Sequence, residues 1–265
     1  MNSAGADSVV IASNEAEAAA VAAVEQHHAQ LAGALSLRVE ALLAAVAGGD
    51  PAEHERRELV DWCTRELVPH ALAEEKALYP AAHAKVEARL LVDGMLDEHR
   101  VITGLVGEIS AAADPTRAAA AGRALMAMFA AHLTKENELV LPLLAAAPDV
   151  ALADLLAGMH ELLGGAGESS HDLHPNAGEH SCGCGEVDGP GYPELDARVI
   201  PHAIRHATVF GALDAVRPGG GLVLIATHDP LPLLAQVEQR TPGVFAVDYL
   251  ERGPQDWRLQ FVRGA

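Results

Sequence analysis

The run His132-Leu133-Thr134-Lys135-Glu136, followed by Val140 and Pro142, echoes an earlier run, His70-Ala71-Leu72-Ala73-Glu74, followed by Leu78 and Pro80. In each, a histidine and a glutamate stand four residues apart. On an α-helix that spacing puts both groups on one face, one turn apart. The flanking residues are apolar at intervals of three and four, the period of a helix packed against its neighbours.

Working outward, the same period marks four long helices and a short fifth. Helix A runs from a Ser13-Asn14 cap to Gly48-Gly49, with the stripe Val21, Val24, His28, Leu31, Leu35. Helix B runs from Pro51 to about Tyr79-Pro80, with Leu59, Cys63, Leu67, His70, Glu74, Leu78. Helix C covers about Lys85 to Ala112, with Val92, Met95, His99, Ile102, Val106, Ile109. Helix D follows the break at Asp114-Pro115 and runs to about Ala146, with Leu125, Phe129, His132, Glu136, Leu139, Leu143. A fifth covers about Val150 to Leu163. Proline at a first helical position and glycine past an end are the expected punctuation, whereas Pro69 inside helix B is expected to kink it.

Every stripe is interrupted by a histidine, and two also by a glutamate. Carboxylates are seldom buried unless their charge is compensated. Four histidines and two glutamates meeting in one core call for a multivalent cation; hydrogen-bonded core histidines are the plainer alternative for any one of them. Their heights agree. His28 and His70 each lie 21 residues from Gly49, and His99 and His132 lie 15 and 18 residues from Asp114. With a rise of about 1.5 Å per residue, antiparallel helices folded at those turns bring the four to nearly one level. Two such His/Glu pairs plus single histidines from the other helices follow the logic of carboxylate-bridged dinuclear sites in bundles.

Residues 14 to about 147 resemble the hemerythrin-like HHE cation-binding family. The matching residues are His28 in Glu25-Gln26-His27-His28-Ala29-Gln30-Leu31, the run His70-Ala71-Leu72-Ala73-Glu74-Glu75, His99 in Asp97-Glu98-His99-Arg100, and His132-Leu133-Thr134-Lys135-Glu136. The resemblance implies an all-α, up-down four-helix bundle around a non-haem di-iron centre, or another divalent metal in iron's place. Its metal ligands are then His28, His70, Glu74, His99, His132 and Glu136. Oxygen-carrying members have a second helix-C histidine one turn on, where this chain has Thr103. The resemblance thus implies one nitrogen ligand fewer and an open or water-filled position, which argues against simple reversible oxygen carriage. His27, Glu75 and Glu138 sit beside the stripes as supporting or solvent-facing groups.

Composition bounds the rest. The chain has 265 residues, 50% apolar but only 3% aromatic, so its core must be built from Ala, Leu and Val. Its 37 acidic against 18 basic side chains give a net charge of −19, which argues against nucleic-acid binding and against a polybasic membrane anchor. Three cysteines exclude a disulfide framework, and 14 histidines are the unusual count. Met1 to Ser13 has no basic residue and no apolar core of a signal peptide, and Leu139 to Met159 is broken by Pro142, Pro148, Asp149 and Asp154. We expect a soluble, cytoplasmic protein with no membrane partner and no nucleotide cofactor.

Three zones follow: a bundle over 14–163, a Gly/Pro/Ser/His linker over 164–193, and a small α+β unit over 194–265. The last reads strand Leu195–Val199, helix Ala203–Val216, strand Leu222–Ala226, helix Leu231–Gln239, strand Val244–Leu250 and strand Trp257–Val262, with Gly253-Pro254 as the last turn. That is a β-α-β-α-β-β two-layer sandwich. It resembles an uncharacterised family often attached to hemerythrin-like domains (domain-of-unknown-function family 2249), with a fold like the TusA/SirA sulfur carriers. The matching words are Leu195-Asp196-Ala197-Arg198, Arg205-His206, His228-Asp229-Pro230 with Pro232-Leu233-Leu234, and Tyr249-Leu250-Glu251-Arg252-Gly253-Pro254 before Trp257. Sulfur carriers keep a Cys-Pro at the first helix start. Here Ile200-Pro201-His202-Ala203 holds no cysteine, which argues against persulfide transfer by that route.

Two further sites are legible. Ligands of α/β sheets gather at the carboxyl ends of strands. There His202 and His206, with His228 and Asp229, form a candidate second small-ligand or metal site. The alternative is that Asp229 caps the next helix. In the linker, His180 with Cys182 and Cys184 is a candidate soft-metal or redox site, although Cys-x-Cys is a weak metal signal. Cys63, on a core stripe, reads as packing. Three functions share the same bundle ligands: binding or sensing of O2, NO or peroxide, with the C-terminal unit as output or protein-partner module; di-iron oxidoreduction of peroxide or NO; and iron storage or delivery.

Overall fold

The computed structural model describes residues 12–164, 192–200 and 202–264. The linker residues His180, Cys182 and Cys184 therefore lie outside the described residues. The element order is α1 (Glu15–Gly48), α2 (Glu53–Trp62), a π-helical turn (Cys63–Leu67), α3 (Val68–Ala77), α4 (Tyr79–His83), a 3-10 turn (Val86–Ala88), α5 (Arg89–Ala111), α6 (Pro115–Lys135), a second π turn (Glu136–Val140), α7 (Leu141–Ala146), α8 (Leu152–Gly164), β1 (Glu194–Asp196), α9 (His202–Ala215), β2 (Gly221–Ala226), α10 (Leu231–Arg240), β3 (Phe245–Arg252) and β4 (Trp257–Arg263).

The ends of the bundle helices have local causes. The Asn14 side chain accepts the Glu17 N–H at the start of α1, and Gly49 closes the other end at φ 75°, a left-handed position that glycine occupies without strain. Asp114 caps α6 by accepting the Thr116 N–H, with Pro115 at the first turn.

Helices B and D each contain a π turn, and in each a proline stands two residues beyond it, Pro69 and Pro142. The expected kink at Pro69 is thus taken up by a wider turn, in which the Val68 N–H bonds the Cys63 carbonyl five residues back. In helix D the extra residue per turn rotates the inward face. Leu139, expected inside, is 51% exposed, while Val140 and Leu144 are fully buried. The stripe there runs His132, Glu136, Val140, Leu144, at a spacing of four. The other three stripes are buried as expected.

The bundle interior holds two apolar clusters. One gathers Leu31, Leu35, Leu59, Leu67, Ile102, Leu125 and Phe129. The other gathers Val21, Val24, Leu78, Met95, Val140 and Leu144. In every helix the histidine stripe position lies between the two: Val24 and Leu31 flank His28, and Met95 and Ile102 flank His99.

The C-terminal unit has a four-stranded sheet in the order β1-β2-β4-β3, with β1 parallel to β2 and the other pairs antiparallel. The first strand is shorter than expected, because Ala197-Arg198 turns while the Asp196 carboxylate accepts the Arg198 N–H. Leu195, Leu222, Leu224, Leu259 and Phe261 of the sheet meet Val209 and Leu213 of α9 and Leu233 and Val237 of α10 in one apolar core.

The two regions pack through α1 and α9, at glycines. A Cβ on Gly33 would stand 2.2 Å from the Thr208 carbonyl oxygen, and one on Gly211 would stand 2.6 Å from Gln30 Cα. Leu37 of α1 packs on the C-terminal core, and Arg217 pairs with Glu58. Among the described residues one helix, α1, is long and apolar enough to cross a membrane by length and composition, and close to half of that stretch is buried inside the protein, as in a core helix.

Candidate metal centre

The six sequence-predicted residues meet between the two apolar clusters, all at most 3% exposed. His28, His70 and Glu74 offer ligand atoms within 4.8 Å of one another, and so do Glu74, His99 and His132. Glu74 belongs to both groups. Its Oε1 lies 3.1 Å from His28 Nε2 and 2.8 Å from His70 Nε2, and its Oε2 lies 3.6 Å from His99 Nε2. Glu136 makes a second crossing, with Oε2 3.7 Å from His28 Nε2 and 3.6 Å from His132 Nε2.

Two atoms each about 2.1 Å from one ion lie roughly 3.0–3.4 Å apart. The Glu74 Oε1–His28 Nε2 separation of 3.1 Å falls in that span, and the other four, at 2.8 and 3.6–3.7 Å, fall just outside it. Among the described residues, neither ring nitrogen of His70 and neither carboxylate oxygen of Glu136 has a hydrogen-bond partner of proper geometry, although all four are buried. Orphaned polar atoms of that kind cost about 1–3 kcal/mol each and call for an explanation. A nitrogen/oxygen donor set with a carboxylate reaching both histidine pairs suits iron, zinc or manganese.

Three of the histidines are held from behind. His28 Nδ1–H donates to Asn137 Oδ1 at 2.7 Å, His99 Nδ1–H to Glu75 Oε1 at 2.9 Å, and His132 Nδ1–H to Glu98 Oε2 at 3.0 Å. Each bond fixes the tautomer that turns Nε2 inward and makes that nitrogen a better donor to a metal. Lys135 pairs with Glu98, and the Lys135 and His132 hydrogen bonds outweigh partial burial to lower the Glu98 pKa.

In the metal-free chain the buried carboxylates favour protonated imidazoles. Burial alone disfavours protonated His28, but the Glu74 hydrogen bond, the Glu136 and Glu74 charges and the Asn137 bond together push its pKa up to about 9. Burial likewise opposes protonation of His132, and Glu136, Glu74 and Glu98 outweigh it, raising its pKa. Burial would raise Glu74, yet His70 and His28 hold it well below the usual carboxylate range.

Tyr79 was not anticipated as part of the site. Its hydroxyl lies 3.3 Å from both His99 Nε2 and His132 Nε2, which are themselves 3.1 Å apart. Burial first, and then the Glu136 and Glu74 charges, raise its phenol pKa, so it keeps its proton. Thr103, one turn beyond His99, is exposed and takes no part. Glu98 and Asn137 were also missed as supports. The signals were present but faint: each sits next in sequence to a ligand, and Tyr79 is one of only three tyrosines. Glu75 is a support as anticipated, Glu138 faces solvent, and the His27 ring stands edge-on to His70 at 5.0 Å. Cys63 is buried, and burial, partly offset by Arg38, pushes its thiol up to about 12, as befits an inert packing residue.

At the second candidate site, His206 and His228 line one cavity. The His202 side chain lies outside the described residues. Asp229 neither caps α10 nor joins the imidazoles, because its Oδ1 accepts the Tyr249 hydroxyl at 2.8 Å.

Comparison with known proteins agrees with this geometry. The family model described as an uncharacterized conserved protein (DUF2249) matches residues 194–263, and that described as the Hemerythrin HHE cation binding domain matches residues 19–166. No curated protein and no solved structure matches the chain. The second of these matches spans more than half of the sequence and contains all six converging His and Glu side chains, so the chain belongs to the Hemerythrin HHE cation binding family.

Proposed function

We propose that His28, His70, Glu74, His99, His132 and Glu136 hold a pair of iron ions, and that the protein uses them to bind or sense O2, NO or peroxide. The observation that carries this reading is that Glu74 and Glu136 each reach histidines on both sides of the centre, as bridging carboxylates do. Bound iron would supply a redox-active Lewis acid with a coordination position left over for a small molecule. The chain's own part is to hold the imidazoles in one tautomer through Asn137, Glu75 and Glu98, and to exclude water with the apolar clusters on either side.

The Tyr79 hydroxyl favours a second reading. A phenol that keeps its proton, 3.3 Å from two ligand nitrogens, is placed to donate a hydrogen bond to a molecule held there, which would assist turnover of peroxide or NO. The third reading, iron storage or delivery, predicts ready release of the metal to an acceptor. The C-terminal unit serves as output or partner module, joined to the bundle by 164–193. Its β-α-β-α-β-β order supports a TusA/SirA-like fold.

Metal analysis of freshly purified protein, with visible spectra before and after O2, NO and peroxide, tests this. A sensor gives about two irons per chain and a stable adduct without turnover. Catalytic consumption of peroxide or NO selects the oxidoreductase. Absence of bound iron after anaerobic loading with Fe(II) rejects all three.

A further inference from the structure

The C-terminal unit contains a cavity of about 150 Å³ at the carboxyl ends of the parallel strands β1 and β2. Its floor is apolar and includes Leu224, Ala226 and Leu233. Its rim carries Arg205, His206 and His228, and among the described residues no carboxylate lines it. In a chain of net charge −19 that is a marked local reversal. The Arg205 guanidinium is held in place by the Ile200 carbonyl oxygen, which accepts from Nε at 3.1 Å and from Nη2 at 2.8 Å. That carbonyl carries no formal charge, and among the described residues no carboxylate pairs with Arg205. Asp229, the nearest acid in sequence to His228, is engaged by Tyr249.

We infer that this cavity is a binding site for a small organic monoanion, a carboxylate with an apolar body of up to benzene size. A guanidinium is always protonated and presents its donors in a planar fork that suits a carboxylate, and His206 and His228 add N–H donors beside it. The apolar floor requires more than an inorganic ion, since burying it against water would waste its area. A cavity of this volume with apolar walls holds benzene, which sets the size of the body. The site is independent of the iron centre and does not rest on it.

The test uses the full-length, iron-loaded protein and isothermal titration with benzoate, acetate and the neutral isostere benzamide. Benzoate is expected to saturate with a Kd of about 1 mM or tighter, with acetate and benzamide each at least about tenfold weaker. The visible spectrum of the iron centre stays unchanged during the titration. Arg205→Gln removes the charge but keeps an amide donor, and Ala226→Leu fills the floor; each should weaken benzoate by about tenfold or more at unchanged iron content. No saturable binding of benzoate, equal binding of benzamide, or full affinity in both variants would overturn the inference. Benzoate binding that perturbs the iron spectrum and survives in both variants places the ligand at the metal centre and overturns it too.

Discussion

The interiors of the bundle and of the C-terminal unit are built on opposite terms. The C-terminal core is one continuous apolar cluster in which Leu222, Leu224, Leu259 and Phe261 are at most 1% exposed. The bundle core is divided by a layer of four histidines and two glutamates, with apolar clusters above and below. The first kind of core is stable by itself, through area removed from water. The second leaves buried polar atoms without partners and reaches a satisfied state only when something supplies positive charge. Stability of the bundle and occupancy of its centre should therefore be linked, while the C-terminal unit should be indifferent to metal.

The strongest way to break that contrast is His132→Ala with Glu136→Ala. Iron content should fall to well below half of wild type, and the thermal transition of the bundle should drop towards that of the metal-free protein, because the stabilisation that metal supplies is lost with it. Wild-type iron in that variant contradicts the ligand assignment. The complementary change is Leu224→Ala, which should cost about 2–5 kcal/mol by leaving a cavity in the C-terminal core, with iron stoichiometry untouched.

A pH series on metal-free protein sharpens the same point. Folded His28 titrates at about 9 against an ordinary value of 6.5, so its contribution is fully present below pH 6.5 and is lost as pH rises through 9. Glu74 is lowered, so its contribution is present above pH 4.5 and is lost as pH falls. The metal-free bundle should thus be most stable between about pH 4.5 and 6.5, and lose a few kcal/mol by pH 9 in chemical denaturation. Metal-loaded protein should lack the alkaline loss, because loading displaces the protons.

The seam between the two regions gives a smaller effect. A Cβ on Gly33 meets backbone atoms of α9, which cannot rotate away, so Gly33→Ala should cost about 1–3 kcal/mol of docking and raise proteolysis between the regions. Smallest of all is Tyr79→Phe. It should retain iron and stay within about 1 kcal/mol of wild-type stability, changing only the spectrum or turnover with peroxide or NO.

How far the sequence could be read depended on where each signal lay. The helices and the six converging groups were legible because each obeys a helical period along its own segment, and because Gly49 and Asp114 set the heights. The inward turn of Leu139 was a misreading with an identifiable cause. The period was carried through Glu136–Val140 as a regular helix, whereas the π turn advances the face by one residue. Tyr79 and Glu98 followed no stripe, so only faint signals marked them: Glu98 adjoins His99, and Tyr79 is one of three tyrosines.

The sequence alone determined that four amphipathic helices would bring imidazoles and carboxylates to a common level, since a period and a turn are properties of contiguous residues. Tertiary structure alone decided that Glu74 faces both histidine pairs, that Glu98 reaches His132 from another helix, and that α9 seats on α1 through Gly33 and Gly211. Each of those joins residues far apart in the chain. Such contacts depend on the rotation and spacing of whole helices, which packing sets and no short segment encodes.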